Sequence, residues 1–317
     1  MMKRLAPYIL VFLLVGQTMA GEQLSGADLS GKSFANADLS GADLSGAILI
    51  GTDLSGANLS GADLREAYLR DVKAKGANFE GANLGRSDLT RADLREANLK
   101  SAMLTLAVLD SARLTGAHMA GALLAGASLI KAQLGKVDLE NAVLSDADLS
   151  QAVLKGANLK NADLGAHQLG YVGPAPARLR GVDLSGADLS AANLKGVDFS
   201  EAILTGTVFF GAHLGGANLE WVKGRSADFS GAKMPWVLAY GADFREASFK
   251  GANLVSAQMT GAGLSNADFE GADLTSANLN RADLDGAHFK DAEIGNTHFY
   301  AAQNIPQNIS KSMQKEH

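Results

Sequence analysis

The sequence predicts a solenoid of five-residue units, and three observations predict it. A large apolar residue stands at every fifth position from Leu24 to Phe299, which makes 56 consecutive units, with Pro174, Gly224, Ala74 and Ala239 as the exceptions. Ala stands two places before that centre in 42 of the 56, so most units offer one bulky and one very small apolar side chain. Phe209, Phe229, Phe249, Phe269 and Phe289 recur at intervals of twenty, as they would if residues twenty apart lay one above another in a stacked core ladder. Neither an amphipathic helix, with its period of about 3.6, nor a half-buried strand, with a period of two, produces this spacing.

Two inward side chains per five residues can fill a narrow tube while the other three positions face water. A single unit cannot bury itself, but stacked units can, each coil touching only its neighbours. The composition fits, with 36 Gly, 5 Pro and a formal charge of −6 in 317 residues. No cysteine is present, which excludes disulfides, zinc–thiolate sites and thiol catalysis.

The chain opens with MMKRLAPYILVFLLVGQTMAGEQ, where Lys3 and Arg4 precede an apolar run from about Tyr8 to Val15. Thr18-Met19-Ala20 then resembles the small-x-small pattern read by signal peptidase, and the run is short for a bilayer span. Residues 1–20 are therefore expected to be a signal peptide cleaved after Ala20. That leaves a periplasmic or secreted bacterial protein with no integral membrane span.

Residues 21–303 form the repeat body. Its A(D/N)LxG units, such as Ala27-Asp28-Leu29-Ser30-Gly31 and Ala57-Asn58-Leu59-Ser60-Gly61, resemble the pentapeptide repeat family over about residues 22–303. The resemblance implies an all-β fold, a right-handed quadrilateral parallel β-helix with one unit per side and twenty residues per coil. Four units per coil would make about 14 coils, and at about 4.8 Å per coil a rod roughly 65 to 70 Å long.

The pattern falters in three places. Residues 165–181, GAHQLGYVGPAPARLRG, lose the expected apolar residues, and the clock resumes at Leu179 without an apparent insertion. Proline cannot donate a ladder hydrogen bond, so Tyr171, Pro174 and Pro176 mark a candidate loop, bulge or bend. Trp221 and Trp236 both fall two places after a centre, where side chains should point outward, and with Tyr240 they form a candidate partner surface. Met103, Leu123 and Val143 take the place of the usual Asp or Asn at twenty-residue spacing, which predicts an apolar stripe and a second candidate partner surface, with Leu106 and Val108 close by. Asn58, Asn78 and Asn98 align likewise as a structural amide ladder. The tail, residues 304–317, abandons the repeat, and its Ile305 and Ile309 could cover the last coil.

Nothing in the sequence points to catalysis. The histidines show no metal-ligand spacing and no pairing with a nucleophile. The aspartates recur on an outer face, where they are expected to be solvated and unperturbed. The glycines follow the five-residue clock rather than a phosphate-binding turn. No catalytic residue, metal ligand or cofactor is expected. The sequence suggests a non-enzymatic exported scaffold that binds an unknown protein partner in the cell envelope, or a second copy of itself, and no nucleic acid.

The family resemblance implies an alternative, a cytoplasmic mimic of DNA that binds DNA gyrase and confers quinolone resistance. The leader opposes it. So does the mixed band from Arg65 to Lys100, where Arg and Lys interleave with Asp and Glu as they would not on duplex DNA.

Overall fold

The computed structural model describes residues 19–166, 175–307 and 309. The chain forms two compact units, Met1–Val143 and Leu144–His317. In both, the described pentapeptides make one turn and one parallel bridge each, and outside residues 165–177 the chain returns above its starting point after four of them. In the first unit the rungs run from Gln23↔Asp43 through Asn58↔Asn78 to Leu123↔Val143; in the second they end at Asp283↔Gln303. Each side is a single bridge, so no long strand forms among the described residues.

One unit shows why the sequence takes this form. In Ala57-Asn58-Leu59-Ser60-Gly61, Asn58 N donates to Ala37 O (2.9 Å) in the coil before, while Leu59 N donates to Asn78 O (2.6 Å) and Gly61 N to Glu80 O (2.9 Å) in the coil after. The corner closes by Ala57 N to Leu54 O, also 2.9 Å. The remaining amide, Ser60 N, has no backbone partner and donates to Asn58 Oδ1 at 3.2 Å. All five N–H groups are thus satisfied, as a packed coil requires. Asp or Asn before the centre serves the backbone of its own turn as an Asx turn does.

The glycines mark the corners. Gly61 has φ 63°, the left-handed conformation that position i+2 of a type II turn needs. Asn, Asp, Ser, Lys, Arg and Glu hold the same conformation where Gly is absent, as at Asn36 and Lys131.

Inside, the central Leu or Phe and the Ala two places earlier are fully buried along most of both units. Thr52 and Thr207 replace that Ala, and their hydroxyls donate to Leu29 O (2.9 Å) and Leu184 O (2.8 Å). In the second unit Phe209, Phe229, Phe249, Phe269 and Phe289 stack with ring centroids 4.7 to 5.1 Å apart and nearly parallel planes. Phe244 stands edge-on to Phe229 and Phe249, at 5.4 Å from each. It occupies space that the missing side chain of Gly224 leaves, since a Cβ there would lie 2.7 Å from its ring.

The faltering stretch differs from the sequence expectation of an unbroken register. Asp148 pairs with Arg178 and Asp163 with Asn193, thirty residues apart instead of twenty, and the interval returns to twenty at Arg178↔Asp198. Ala177 N donates to Leu164 O (2.7 Å), the bond that closes a corner elsewhere between residues three apart. Ten more residues therefore lie between Ala166 and Ala177 than the corner needs, and the count of about 14 coils includes two units that the ladder skips. The clock conceals them because ten is a multiple of five. Tyr171 and Pro174 lie outside the described residues; Pro176 is half-buried, its Cγ 3.7 Å from where a Cβ on Gly196 would stand.

After the last rung, Ile309 N donates to Pro306 O (3.0 Å), and Ile309 is buried. Residues 1–18, which contain most of the expected leader, lie outside the described residues.

Candidate functional site

Since the backbone and inward side chains are consumed by the ladder, whatever this protein recognises must meet the outward positions. These are the residue before the centre, the one after it and the corner. Most of the outward polar groups are also engaged locally. Asn78 Nδ2 donates to Asn58 Oδ1 (3.1 Å) and Asn98 Nδ2 to Asn78 Oδ1 (2.9 Å), an amide ladder along one side of the first unit.

The aspartates are less passive than an outer face suggests. Ser55 N donates to Asp53 Oδ1 at 3.0 Å. The Ser55 hydroxyl, and then this N–H, hold the Asp53 carboxyl below its ordinary value. Asp93 is lowered chiefly by its hydrogen bond to Arg95, whose Nη2 lies 2.6 Å from Asp93 Oδ2. Asp63 is held by Arg65 (2.5 Å) and Asp71 by Arg91 (2.5 Å). In the mixed band of the first unit, acids and bases neutralise one another on the surface.

Met103, Leu123 and Val143 occupy consecutive rungs of one side. Met103 and Leu123 are exposed and Val143 is half-buried, so the three form a continuous apolar stripe. Leu106 is also exposed, at a corner with φ 59°, and its Cδ2 reaches over Gly126.

In the second unit, Trp236 opens the row 237–240 of one face, and the Gly241 corner closes it. Trp221 stands one coil earlier at that same corner, and three atoms of its six-membered ring lie within 2.8 Å of where a Cβ on Gly241 would stand. Trp221 N donates to Tyr240 O (3.0 Å), which ties the two rows together. The structure thus gathers Trp221, Trp236 and Tyr240 around one face, with Leu238 between them. Both indoles are 64% exposed, which few large apolar side chains in this chain match.

Their backbone is that of the other corners. Trp221 has φ 58° and Trp236 φ 55°, as Leu106 and Gln151 have φ 59° and 61°. The left-handed conformation costs an ordinary side chain about 1–2 kcal/mol. Folding alone would favour Gly at both corners. Sequence reasoning passed over Phe210 and Tyr300, 59% and 76% exposed, which stand one place after a centre where Ser, Lys or Gly is usual. An aromatic in that slot was the available signal.

Among the described residues no three His, Asp or Glu side chains come together as metal ligands. No described helix is long and apolar enough to cross a membrane.

Comparison with known families decides the kinship. The model of pentapeptide repeats matches in copies that run from residues 23–56 to 263–299, leaving few gaps. The chain belongs to the pentapeptide repeat family. Pentapeptide repeat proteins fold as right-handed quadrilateral β-helices, and parallel rungs at twenty-residue intervals accord with that fold.

Solved structures similar to it include HetL, a pentapeptide repeat protein involved in heterocyst differentiation regulation from Nostoc sp. strain PCC 7120. It is 25% identical, over 89% of this chain and 87% of that one, with a TM-score of 0.22. A pentapeptide repeat protein of the Arabidopsis thaliana thylakoid lumen is 35% identical over 37% of this chain and 71% of its own, with a TM-score of 0.23. QnrB1, a plasmid-mediated fluoroquinolone resistance protein, is 21% identical over 68% of this chain and 92% of its own, with a TM-score of 0.35. No curated protein matches the chain significantly.

Proposed function

We propose that this pentapeptide repeat protein is a non-enzymatic scaffold, exported by its leader, that binds a protein partner in the cell envelope. The observation that carries the reading is the apolar stripe of Met103, Leu123 and Val143. Three successive rungs give up the Asp or Asn that would hold a turn amide and present apolar side chains instead. A stripe of this kind on a surface otherwise largely polar and charged is the mark of a contact site. Domain limits follow the same reading: a leader over 1–20, the repeat body over 21–303 and a capping tail over 304–317.

Binding to gyrase as a DNA mimic has weaker support. The charge of the first unit is paired acid to base from Asp63 to Arg95, whereas duplex DNA presents unbroken negative charge. The experiment is fractionation of cells expressing the native chain, with N-terminal sequencing of the recovered protein. A chain that begins at Gly21 in the periplasm or the medium is the expected result. An intact Met1 in the cytoplasm would overturn the export reading and make a gyrase supercoiling assay the next step.

A further inference from the structure

The face of the second unit that Trp221 and Trp236 flank differs in chemistry from its neighbour. Its central outward column is Asn218, Leu238, Gln258, Asn278 and His298, each bridged to the next. The parallel column holds Glu220, Tyr240, Thr260, Asn280 and Tyr300. Of these ten side chains only Glu220 carries a formal charge, and Arg281 stands at a corner. The adjoining face carries Lys223, Arg225, Asp243 and Arg245, with Arg245 paired to Asp243 at 2.6 Å and Arg225 to Glu246 at 2.5 Å. A charged partner would find its complement on the neighbour. The Trp-flanked face has almost nothing to offer it.

We infer that this face binds a neutral glycan chain. Pyranose rings present flat C–H surfaces, which stack on indole and phenol rings, and a rim of hydroxyls, which need neutral donors and acceptors. Both requirements are met here. Trp221, Trp236 and Tyr300 are exposed rings on the two edges and far end of the face. Between them lie Gln258 and Asn278, joined from Asn278 Nδ2 to Gln258 Oε1 at 3.3 Å, with the Tyr240 hydroxyl 3.5 Å from the same Gln258 oxygen. Gln258 Nε2 also donates to Ser256 O (3.1 Å) and Asn280 N to Asn278 Oδ1 (3.1 Å), which leaves one N–H on each amide and one lone pair on Asn278 for a ligand.

The rings are held open. Trp221 lies against Gly241, whose lack of a side chain gives the indole a close backbone support, and both tryptophans are 64% exposed. Gln258 and Asn278 lie on successive rungs along the coil axis, and Tyr240 and Tyr300 stand in the neighbouring column sixty residues apart, an extended row that suits a polysaccharide better than a compact solute.

The test uses the full-length mature chain with cellohexaose and chitohexaose as probes, followed by tryptophan fluorescence and calorimetry. The chain has two tryptophans, so its indole emission reports this face alone. Saturable binding of at least one hexaose is expected, with a change in emission. Trp221→Gly and Trp236→Gly should each weaken it at least tenfold while the far-UV spectrum and melting temperature are kept, because Gly adopts the left-handed corner without strain and is the commonest residue there. Tyr300→Ala should weaken it less.

Failure of both sugars to bind overturns the proposal, as does binding that survives both tryptophan substitutions. A wild-type dimer in sedimentation that both variants lose, without sugar binding, would assign the face to a second copy instead. The outcome is separable from the export reading, since the purified chain binds or fails to bind wherever the cell places it.

Discussion

A phenyl ring in the middle of the aromatic stack has neighbours on both sides, whereas Phe289 lies near the stack's end. Phe249 is fully buried, stacked at 5.1 Å on Phe229 and 5.0 Å on Phe269, with Phe244 edge-on at 5.4 Å. Truncating it removes three ring contacts and leaves a cavity that backbone-bonded coils cannot close. Phe249→Ala should cost about 3–5 kcal/mol. Phe289→Ala should cost clearly less in the same urea titration, and equal losses would show that the stack does not act as described. The interval of twenty made this column legible. Gly224 was legible only as a missing Leu, because its reason is a ring twenty residues later. Gly224→Leu should destabilise by about 1–3 kcal/mol through collision with Phe244. Pairing it with Phe244→Leu should recover much of that loss, and a double variant no better than the single one would refute the packing account.

Within one pentapeptide the decisive element is the turn, where an outward carboxylate or amide completes the backbone. The D/N alternation before the centre was visible in the sequence, but a solvent-facing position concealed its purpose; only the unpaired amide one residue after the centre reveals it. Asp53→Ala leaves the half-exposed Ser55 N–H to water and should cost about 1 kcal/mol, whereas Asp53→Asn keeps the acceptor and should cost little. Acid separates the two further. Asp53 is held below its ordinary value of 3.8 in the folded chain, so its ionised form contributes stability at neutral pH. That contribution is lost as pH falls through the folded value, below 3.8. Wild type should therefore lose stability towards pH 3 more steeply than Asp53→Asn, as thermal melts across that range would show. Parallel slopes would mean that the Ser55 bonds do not favour the ionised carboxylate.

At the scale of the whole molecule the repeat is so regular that its one large departure leaves the clock intact. Counting in fives carries a reader across residues 165–181 without a slip, and counting in twenties across it displaces every later residue by half a coil. What the sequence could not convey is which coil positions the chain passes over, because that depends on the partner thirty residues away, seen in Asp148↔Arg178 and Asp163↔Asn193. The geometry at the junction makes a strong prediction. Ala177 already sits where a corner residue would follow Ala166, bonded to Leu164 O at 2.7 Å, and Ala166 N is bonded to Lys195 O at 3.0 Å. Deleting residues 167–176 would then join two ends that are already in register. The new corner would place Ala166 in the left-handed conformation, which Ala191 and Ala301 adopt with φ 56° and 55°. Changing Ala166 to Gly removes most of that strain. Shortening the connection from Leu164 to Ala177 also lowers the entropy lost on closing it, though only slowly with length. The deletion carrying Ala166→Gly should therefore fold with a melting temperature equal to or above that of wild type. An unfolded or strongly destabilised product would mean that the ten residues support the coil rather than interrupt it.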